Sequence, residues 1–548
     1  MGIYIHLAIS KSVTKKEWEA VYEETLELIR HFPLTERRKV NIHGVNTICL
    51  VKTEEHAFPS ELECYKEQVG WATDGDSETL KTAEEYFLPR DLVKDNAVEE
   101  EVRDALLGAC PAYLRYDWKD ERFSHVYDKW GNKTQGEPYH IYLLAVACLI
   151  EARLGKKAFV YGDITRGQCK KAVEVANKFL ENKIDLPDRC STDRLMRRIS
   201  DLDFPEKEKL DIFEAFYLGT KDAAFGEFIR QNFTEESLND YWKCEFENSR
   251  VGTVGFNKRV SEYLLWGFEI DKLCEYVNFK DEEGNLLYEK FVTRIMDAKL
   301  HVKEKNCSDQ LKIDQEEEHP YSIWTLFAQF GFAGAQNKKV DRYVPIEKIR
   351  EDLKRGLADK VDVDSIIDAY LKEEATQTEI NLKGKDVTKE QVGQAASQDA
   401  AETFDQLMNR KKAELIAEYE KYDINNYEDL MEYESGNTMN PNLAKSLGGS
   451  RRFMDTLLEE PLFEELSGKS AVEKFGWLVE QNRYYLIRRT DWEQIYENLE
   501  VNPESFARYY SLMRVNCASD DLNNMAMALM LNDELYSHSK ELADSIVD

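Results

Sequence analysis

The sequence predicts a mainly α, multidomain protein: a small N-terminal α+β domain followed by a large helical region with a few short strands. Three observations lead there. Gly and Pro are sparse, 26 and 12 in 548 residues, so the turn punctuation of an all-β chain is missing. Strict alternation of apolar and polar residues, the mark of half-buried strands, is concentrated before residue 93. Beyond that point apolar residues recur mostly at helical spacing, interrupted by Pro, Gly and charged breaks.

In order, Ile3, Ile5, Leu7 and Ile9 alternate with Tyr4, His6 and Ala8, which reads as a strand. Thr14 and Glu17 have the spacing of a capping box, and Trp18, Val21, Tyr22, Thr25, Leu26 and Ile29 then share one helical face. Two strands are expected over Val40–Ile42 and Asn46–Lys52 about His43-Gly44, and a short extended piece over Gly70–Thr73. Ser77–Leu88 reads as a helix stopped at Pro89. These elements make the α+β domain, residues 1–92.

Residues 93–235 read as a helical domain with one embedded strand-turn-helix. Ala97–Leu107 is periodic, and Pro138 suits the first turn of a helix ending near Leu154. The strand Ala158–Tyr161 and the helix Gly167–Asn182 follow, then helices over Asp188–Ile199, Glu206–Leu218 and Lys221–Asn232. Residues 236–372 read as helical with short strands or a hairpin at Val251–Phe256 and around Glu283-Gly284-Asn285, then helices over Tyr321–Phe332, from Pro345 to Leu357, and over Val363–Leu371. Residues 373–400 lose aromatic and apolar periodicity and read as a linker or mobile excursion, open to protease together with Arg410-Lys411-Lys412. Residues 401–548 read as a helical C-terminal domain that begins with a long helix over Thr403–Lys421.

Composition narrows the function classes. Hydrophobic residues at 42% and aromatics at 11% supply cores throughout. The net charge is −32, with no basic region, so a grip on nucleic-acid phosphates or anionic lipid is disfavoured. The ten cysteines contain no Cys-x-x-Cys and read as reduced-compartment usage. The N-terminus lacks the pattern of a signal peptide, His6 breaks a myristoylation pattern, and the longest apolar run, Ile141–Ile150, is too short for a bilayer. The expectation is a soluble cytoplasmic protein with no membrane partner.

The richest stretch for chemistry is Gly162–Arg166, at the end of a strand. Carboxyl ends of strands carry sites in open α/β sheets, so Asp163, Thr165 and Arg166 are candidate catalytic or anion-binding residues. The competing expectation is that Thr165 or Asp163 caps the helix and Arg166 pairs with an acid. His140 and Glu151 share a helix face but stand roughly 16 Å apart, too far to share a metal or a proton. His140 is therefore expected to be a half-buried structural histidine. Cys148 reads as a small hydrophobe and Cys169, near a helix start, as a weak candidate thiol.

Three motif fragments fail. Asp74 to Glu85 has EF-hand length, but Thr79 replaces the required glycine and Lys81 the apolar position, so a turn and cap are expected. Gly131-Asn132-Lys133-Thr134 lacks the upstream glycine of a phosphate loop, because Val126 stands there. Gly252-Thr253-Val254-Gly255 is a lone G-x-x-G in acidic surroundings. No cofactor or metal is expected. In the C-terminal region Arg483, Tyr484, Tyr485, Arg488, Trp492, Arg508 and Tyr509 combine the residue types of interface anchors with those of a core and its salt-bridged rim. The leading expectation is a non-enzymatic protein-binding adaptor, inhibitor or regulatory component whose partner is another protein. The alternatives are a hydrolase or anion-binding enzyme at Gly162–Arg166, and an acidic mimic of nucleic acid.

Overall fold

The computed structural model describes residues 2–58, 68–92, 104–110, 126–247, 249–281, 283–303, 340–375, 414, 417–483, 485–502, 504–514 and 519–545. It is mainly helical, with eight strands among the described residues: β1 (Tyr4–Ser10), β2 (Leu34–Ile42), β3 (Val45–Lys52), β4 (His56–Phe58), β5 (Gln68–Asp76), β6 (Thr82–Pro89), β7 (Val126–Lys133) and β8 (Ala158–Gly162). No helix among the described residues is long and apolar enough to cross a membrane.

The chain divides into two compact units that do not follow the consecutive order expected from the sequence. The first is Met1–Phe32, Glu54–Trp71 and Ala83–Ala395; the second is Pro33–Thr53, Ala72–Thr82 and Ala396–Asp548. The segment 1–92 is therefore shared out between them instead of forming a domain of its own.

In the first unit, β1 is the centre of a three-stranded antiparallel sheet of order β7-β1-β8. Its apolar alternation buries Ile5, Leu7 and Ile9 completely. Helix α1 (Lys15–His31) starts at the expected capping box of Thr14 and Glu17 and buries the expected face, Trp18, Val21, Tyr22, Thr25, Leu26 and Ile29. Helix α2 (Tyr139–Leu154) is apolar around its whole circumference and correspondingly buried, and α3 (Arg166–Ala176) packs along it. The expected helix Gly167–Asn182 thus ends earlier, at Ala176, where Asn177 closes the turn. Then come α4 (Thr192–Ser200), α5 (Glu206–Phe216), α6 (Ala223–Asn232), α7 (Glu235–Glu247), α8 (Val254–Leu265), α9 (Ile270–Tyr276), α10 (Tyr288–Asp297), α11 (Ile346–Leu357) and α12 over 363–375. They close on an aromatic centre of Trp242, Trp266, Tyr263 and Phe246.

In the second unit, β2 and β3 form the expected hairpin, with His43 and Gly44 both at positive φ, 47° and 92°. The second half of β5 continues that sheet through Leu34↔Asp76 and Thr35↔Gly75. Helices α13 (Pro441–Leu457), α14 (Pro461–Ser467), α15 (Ala471–Gln481), α16 (Arg489–Val501), α17 (Ser505–Met513), α18 (Asp520–Leu531) and α19 (Asp533–Ser545) build its core on Phe475, Trp492, Tyr509 and Tyr510.

Two expected elements have the opposite character. Ser77–Leu88 is a turn and a strand, because the Asp76 carboxylate captures the amides of Glu78 and Thr79 and Leu80 turns the chain at φ 58°. From Thr82 the chain runs extended as β6 and buries Tyr86 and Leu88 at strand spacing. The expected strand Val251–Phe256 is a helix start, since the Thr253 hydroxyl accepts the Phe256 amide and caps α8. Near Glu283-Gly284-Asn285 a single antiparallel bridge, Lys280↔Leu286, closes a turn with Gly284 at φ 86°. Tyr321–Phe332, residues 376–400, Arg410-Lys411-Lys412, and most of Ala97–Leu107 and Thr403–Lys421 lie outside the described residues.

Candidate functional site

The end of β8 is held by β1. The Asp163 carboxylate accepts the Tyr4 amide at 3.0 Å while the Asp163 amide donates to the Tyr4 carbonyl at 2.9 Å. Thr165 caps α3 in a full capping box with Gln168. Gly162 sits at φ 110°, and a Cβ there would lie 2.5 Å from the Tyr4 carbonyl oxygen. Asp163 is exposed, Thr165 buried and Arg166 intermediate. The three predicted residues are adjacent in the turn, and two of them serve its backbone.

A residue that sequence reasoning passed over stands next to this turn. His6, in the middle of β1, is flanked by Gly131 on β7 and Gly162 on β8; a Cβ at either would lie 3.2 Å from the imidazole. Its ring stacks on Tyr161 at 4.6 Å and faces Tyr4 at 5.8 Å. The β1–β7 register slips between Leu7 and Ala8, so that Lys129 is the extra residue and Asp128 falls opposite Ala8. That bulge brings Asp128 to the His6 face of the sheet. The Asp128 carboxylate lies 3.8 Å from His6 Nδ1 and accepts the Tyr161 hydroxyl at 3.3 Å. Nδ1 is shielded from solvent, yet the side chain keeps 26% of its exposure. The result is an imidazole stacked on a phenol, with a carboxylate 3.8 Å from an Nδ1 that makes no hydrogen bond. The alternation of residues 3–9 put His6 on the face away from Ile5, Leu7 and Ile9; the bulge that recruits Asp128 left no trace in the sequence.

The outer edge of β8 is closed by side chains. Glu151 on α2 accepts the Val160 amide at 2.7 Å through Oε2 and the Asp188 amide at 2.9 Å through Oε1. Arg198 on α4 donates to the Ala158 carbonyl at 3.1 Å and grips Asp104 through Nε and Nη2 at 3.0 and 2.5 Å. Arg198 Nη1 reaches Asp188 at 3.1 Å and Glu151 at 3.9 Å. Burial pushes the Glu151 carboxyl up against the pull of Arg198. Both its oxygens accept N–H groups, so the carboxylate is the form that fits. His140 is completely buried rather than half-buried; its Nδ1 shares a 2.7 Å hydrogen bond with Thr134, and burial lowers its pKa to about 4. Cys169 is also fully buried, and the adjacent Cys148 thiol, with burial, drives it well above the ordinary thiol range. A helix N-terminus does not activate it.

Of the interface candidates in the second unit, Tyr485, Trp492, Arg508 and Tyr509 are buried, Arg488 is half-buried on Asp491, Arg483 is exposed, and Tyr484 lies outside the described residues. Arg508 donates to the Leu529 carbonyl at 2.8 Å and pairs with Asp533. Tyr485, Trp492, Arg508 and Tyr509 thus belong to the core of the second unit. Beside them an open groove of about 580 Å³ is lined by Tyr433, Asn437, Asp533, Glu534, His538 and Glu541, among others, with no Lys or Arg in its wall. Tyr433 and His538 stack at 5.4 Å, and Glu541 accepts from His538 at 3.0 Å. Asp74 and Asp76, the EF-hand fragment, are spent on Arg37 and on the Thr79 turn.

Elsewhere Glu269, Asp271 and Asp352 bring carboxylate oxygens within 4.8 Å of one another. Lys348 and Arg355 run through the same cluster, each 2.6 Å from Asp352, and make it an ion-pair network. Compared with protein-family models, with curated proteins and with solved structures, the chain matches none.

Proposed function

We propose that the chain is a non-enzymatic protein-binding component, an adaptor, inhibitor or regulatory subunit, that takes a basic segment of another protein. The observation that carries this reading is the groove of the second unit, with three carboxylates in its wall, no Lys or Arg, and an aromatic shelf of Tyr433 and His538. A cationic side chain finds there both charge complementarity and a ring face. The net charge of −32 supports the same sign of partner. The test is fluorescence anisotropy of a Lys/Arg-rich peptide library against the full chain, with Glu534→Lys and Glu541→Lys as controls. The reading expects binding that weakens with salt and falls roughly tenfold or more in the double variant. Binding equal in both proteins, or none for any basic peptide, would overturn it.

A second reading, a hydrolase at the Gly162–Arg166 turn, draws support from His6 with Asp128 and Tyr161 beside that turn. In it His6 would act as general base toward water. Chromogenic carboxylic and phosphoric ester substrates test it: turnover lost in His6→Ala and lowered in Asp128→Asn is the expected pattern, and turnover that survives His6→Ala contradicts it.

A further inference from the structure

The groove of the second unit has one wall member of the residue type that changes charge near neutral pH. His538 stands in the second turn of α19, with 29% of its side chain exposed, and lines the groove. Its ring is held in place by Tyr433, on which it stacks at 5.4 Å with 11° between the planes. Tyr433 is itself buried, and its carbonyl accepts Asn532 Nδ2 at 2.9 Å. Glu534 accepts the Ser435 amide at 2.6 Å and ties the same loop to the start of α19. Glu541 holds His538 Nδ1 at 3.0 Å. A carboxylate only accepts, so Nδ1 carries the proton, and Nε2 of the neutral ring is an acceptor that no described residue bonds. The charged and titratable groups around the ring come from four elements. Asp533, Glu534 and Glu541 belong to α19, and Tyr433 to the loop after the 3-10 turn Glu428–Glu432. Arg508 on α17 is spent on Asp533, and Arg451 on α13 is spent on Asp455 and the Tyr536 carbonyl. Among the described residues the wall thus keeps two carboxylates with no Lys or Arg partner, Glu534 and Glu541. Burial, together with Glu541 and Glu534, pushes the Tyr433 phenol up, as expected where their field reaches the aromatic shelf.

We propose that His538 gates the groove by protonation: with the neutral imidazole the groove takes a cationic side chain of a protein partner, and with the imidazolium it holds that side chain more weakly. The gate rests on the reading of the groove as the seat of a basic segment. In the neutral ring Nε2 can accept an N–H of the incoming guanidinium or ammonium, and Glu541 meets it with its full charge. Protonation changes both at once. Nε2 becomes a donor, and the imidazolium compensates Glu541 across 3.0 Å, so that one of the two open carboxylates is lost to the partner. Histidine side chains change charge between pH 5 and 8, where exposed carboxylates stay ionised. Affinity for the cation is therefore full above that interval and falls as pH falls through it. By linkage, a bound cation makes His538 harder to protonate by the same factor.

The experiment measures the anisotropy of a fluorescent oligo-arginine peptide on the full chain at about pH 7.5 and about pH 5.5, at one ionic strength, for the native protein and for His538→Gln. The expected result is binding that weakens about tenfold in the native protein at the lower pH, and by less than about twofold in the variant. The reciprocal readout is hydrogen–deuterium exchange at the imidazole Cε1 position, followed against pH by mass spectrometry of the peptide that contains His538. Saturating oligo-arginine should move the midpoint of that curve down by about one pH unit, the counterpart of a tenfold coupling. Equal affinity at the two pH values, a loss as large in His538→Gln as in the native protein, or a midpoint that the peptide does not move would overturn the gate and leave the groove reading standing. No binding at either pH would overturn both. The native midpoint decides the matter even where His538→Gln fails to fold.

Discussion

Two sheet edges in this molecule are closed in opposite ways. The outer edge of β3, in the second unit, is covered by main chain: the Leu50 amide donates to the Ile487 carbonyl at 3.0 Å, and Leu50 bridges Arg488 in parallel. The outer edge of β8, in the first unit, is covered by charge: Glu151 takes the Val160 amide and Arg198 the Ala158 carbonyl. Both solutions meet the rule that a buried backbone polar group must find a partner. They differ in cost. A covering strand brings its own apolar side chains, whereas the charged plug removes two ions from water and holds only while every member is present. The difference teaches why the charged side chains around β8 belong to the scaffold.

The comparison breaks most visibly at Glu151. Glu151→Ala leaves two amides and Arg198 without their partner, and it should destabilise the first unit by about 3–5 kcal/mol. The loss should appear as faster hydrogen exchange in α2 and β8 while β3 is unchanged. At the main-chain edge, Ile487→Ala should cost about 2–4 kcal/mol by loss of a fully buried side chain, and the accelerated exchange should be confined to the second unit. A charged plug and an apolar cover would thus fail separately.

Acid sharpens the contrast. His140, on the same helix as Glu151, has a folded pKa of about 4 against the ordinary 6.5. A depressed imidazole stabilises the folded state above the unfolded value and loses that contribution as pH falls from 6.5 toward 4. Opening of α2 should become easier by about 3 kcal/mol across that window, and His140→Gln should flatten the dependence. The smallest effect belongs to the cap. Thr165→Ala should cost about 1 kcal/mol, read as local fraying of α3, with β8 still protected.

Much of this architecture was legible where local rules act alone. The Thr14 and Glu17 box, the buried face of α1, the His43-Gly44 hairpin and the Thr165 cap all depend on neighbours within a few residues. Ser77–Leu88 misled because its apolar residues fit a helix, while the carboxylate of Asp76, just ahead of it, had already committed the chain to a turn. The two-unit division depends on contacts between residues 33–53 and the C-terminal helices, which no window on the sequence can register. At the candidate site Asp163, Thr165 and Arg166 were found because a turn after a strand is a local signal. Asp128 was not, because a bulge in a pairing more than a hundred residues apart decides which way it faces. Glu151 did leave a clue, a lone acid inside an apolar helix. Such an acid must be paired once buried, and its partner Arg198 lies far along the chain.

The central claim, that side-chain charge substitutes for a fourth strand at β8, is tested most directly by the exchange rate of the Val160 amide. If the plug is real, that amide exchanges as slowly in the native protein as the β1-bonded amide of Phe159. In Glu151→Ala it becomes fast while the Leu50 amide of β3 keeps its rate. A Val160 amide that exchanges freely in the native protein, or one whose protection survives removal of Glu151, would contradict the account.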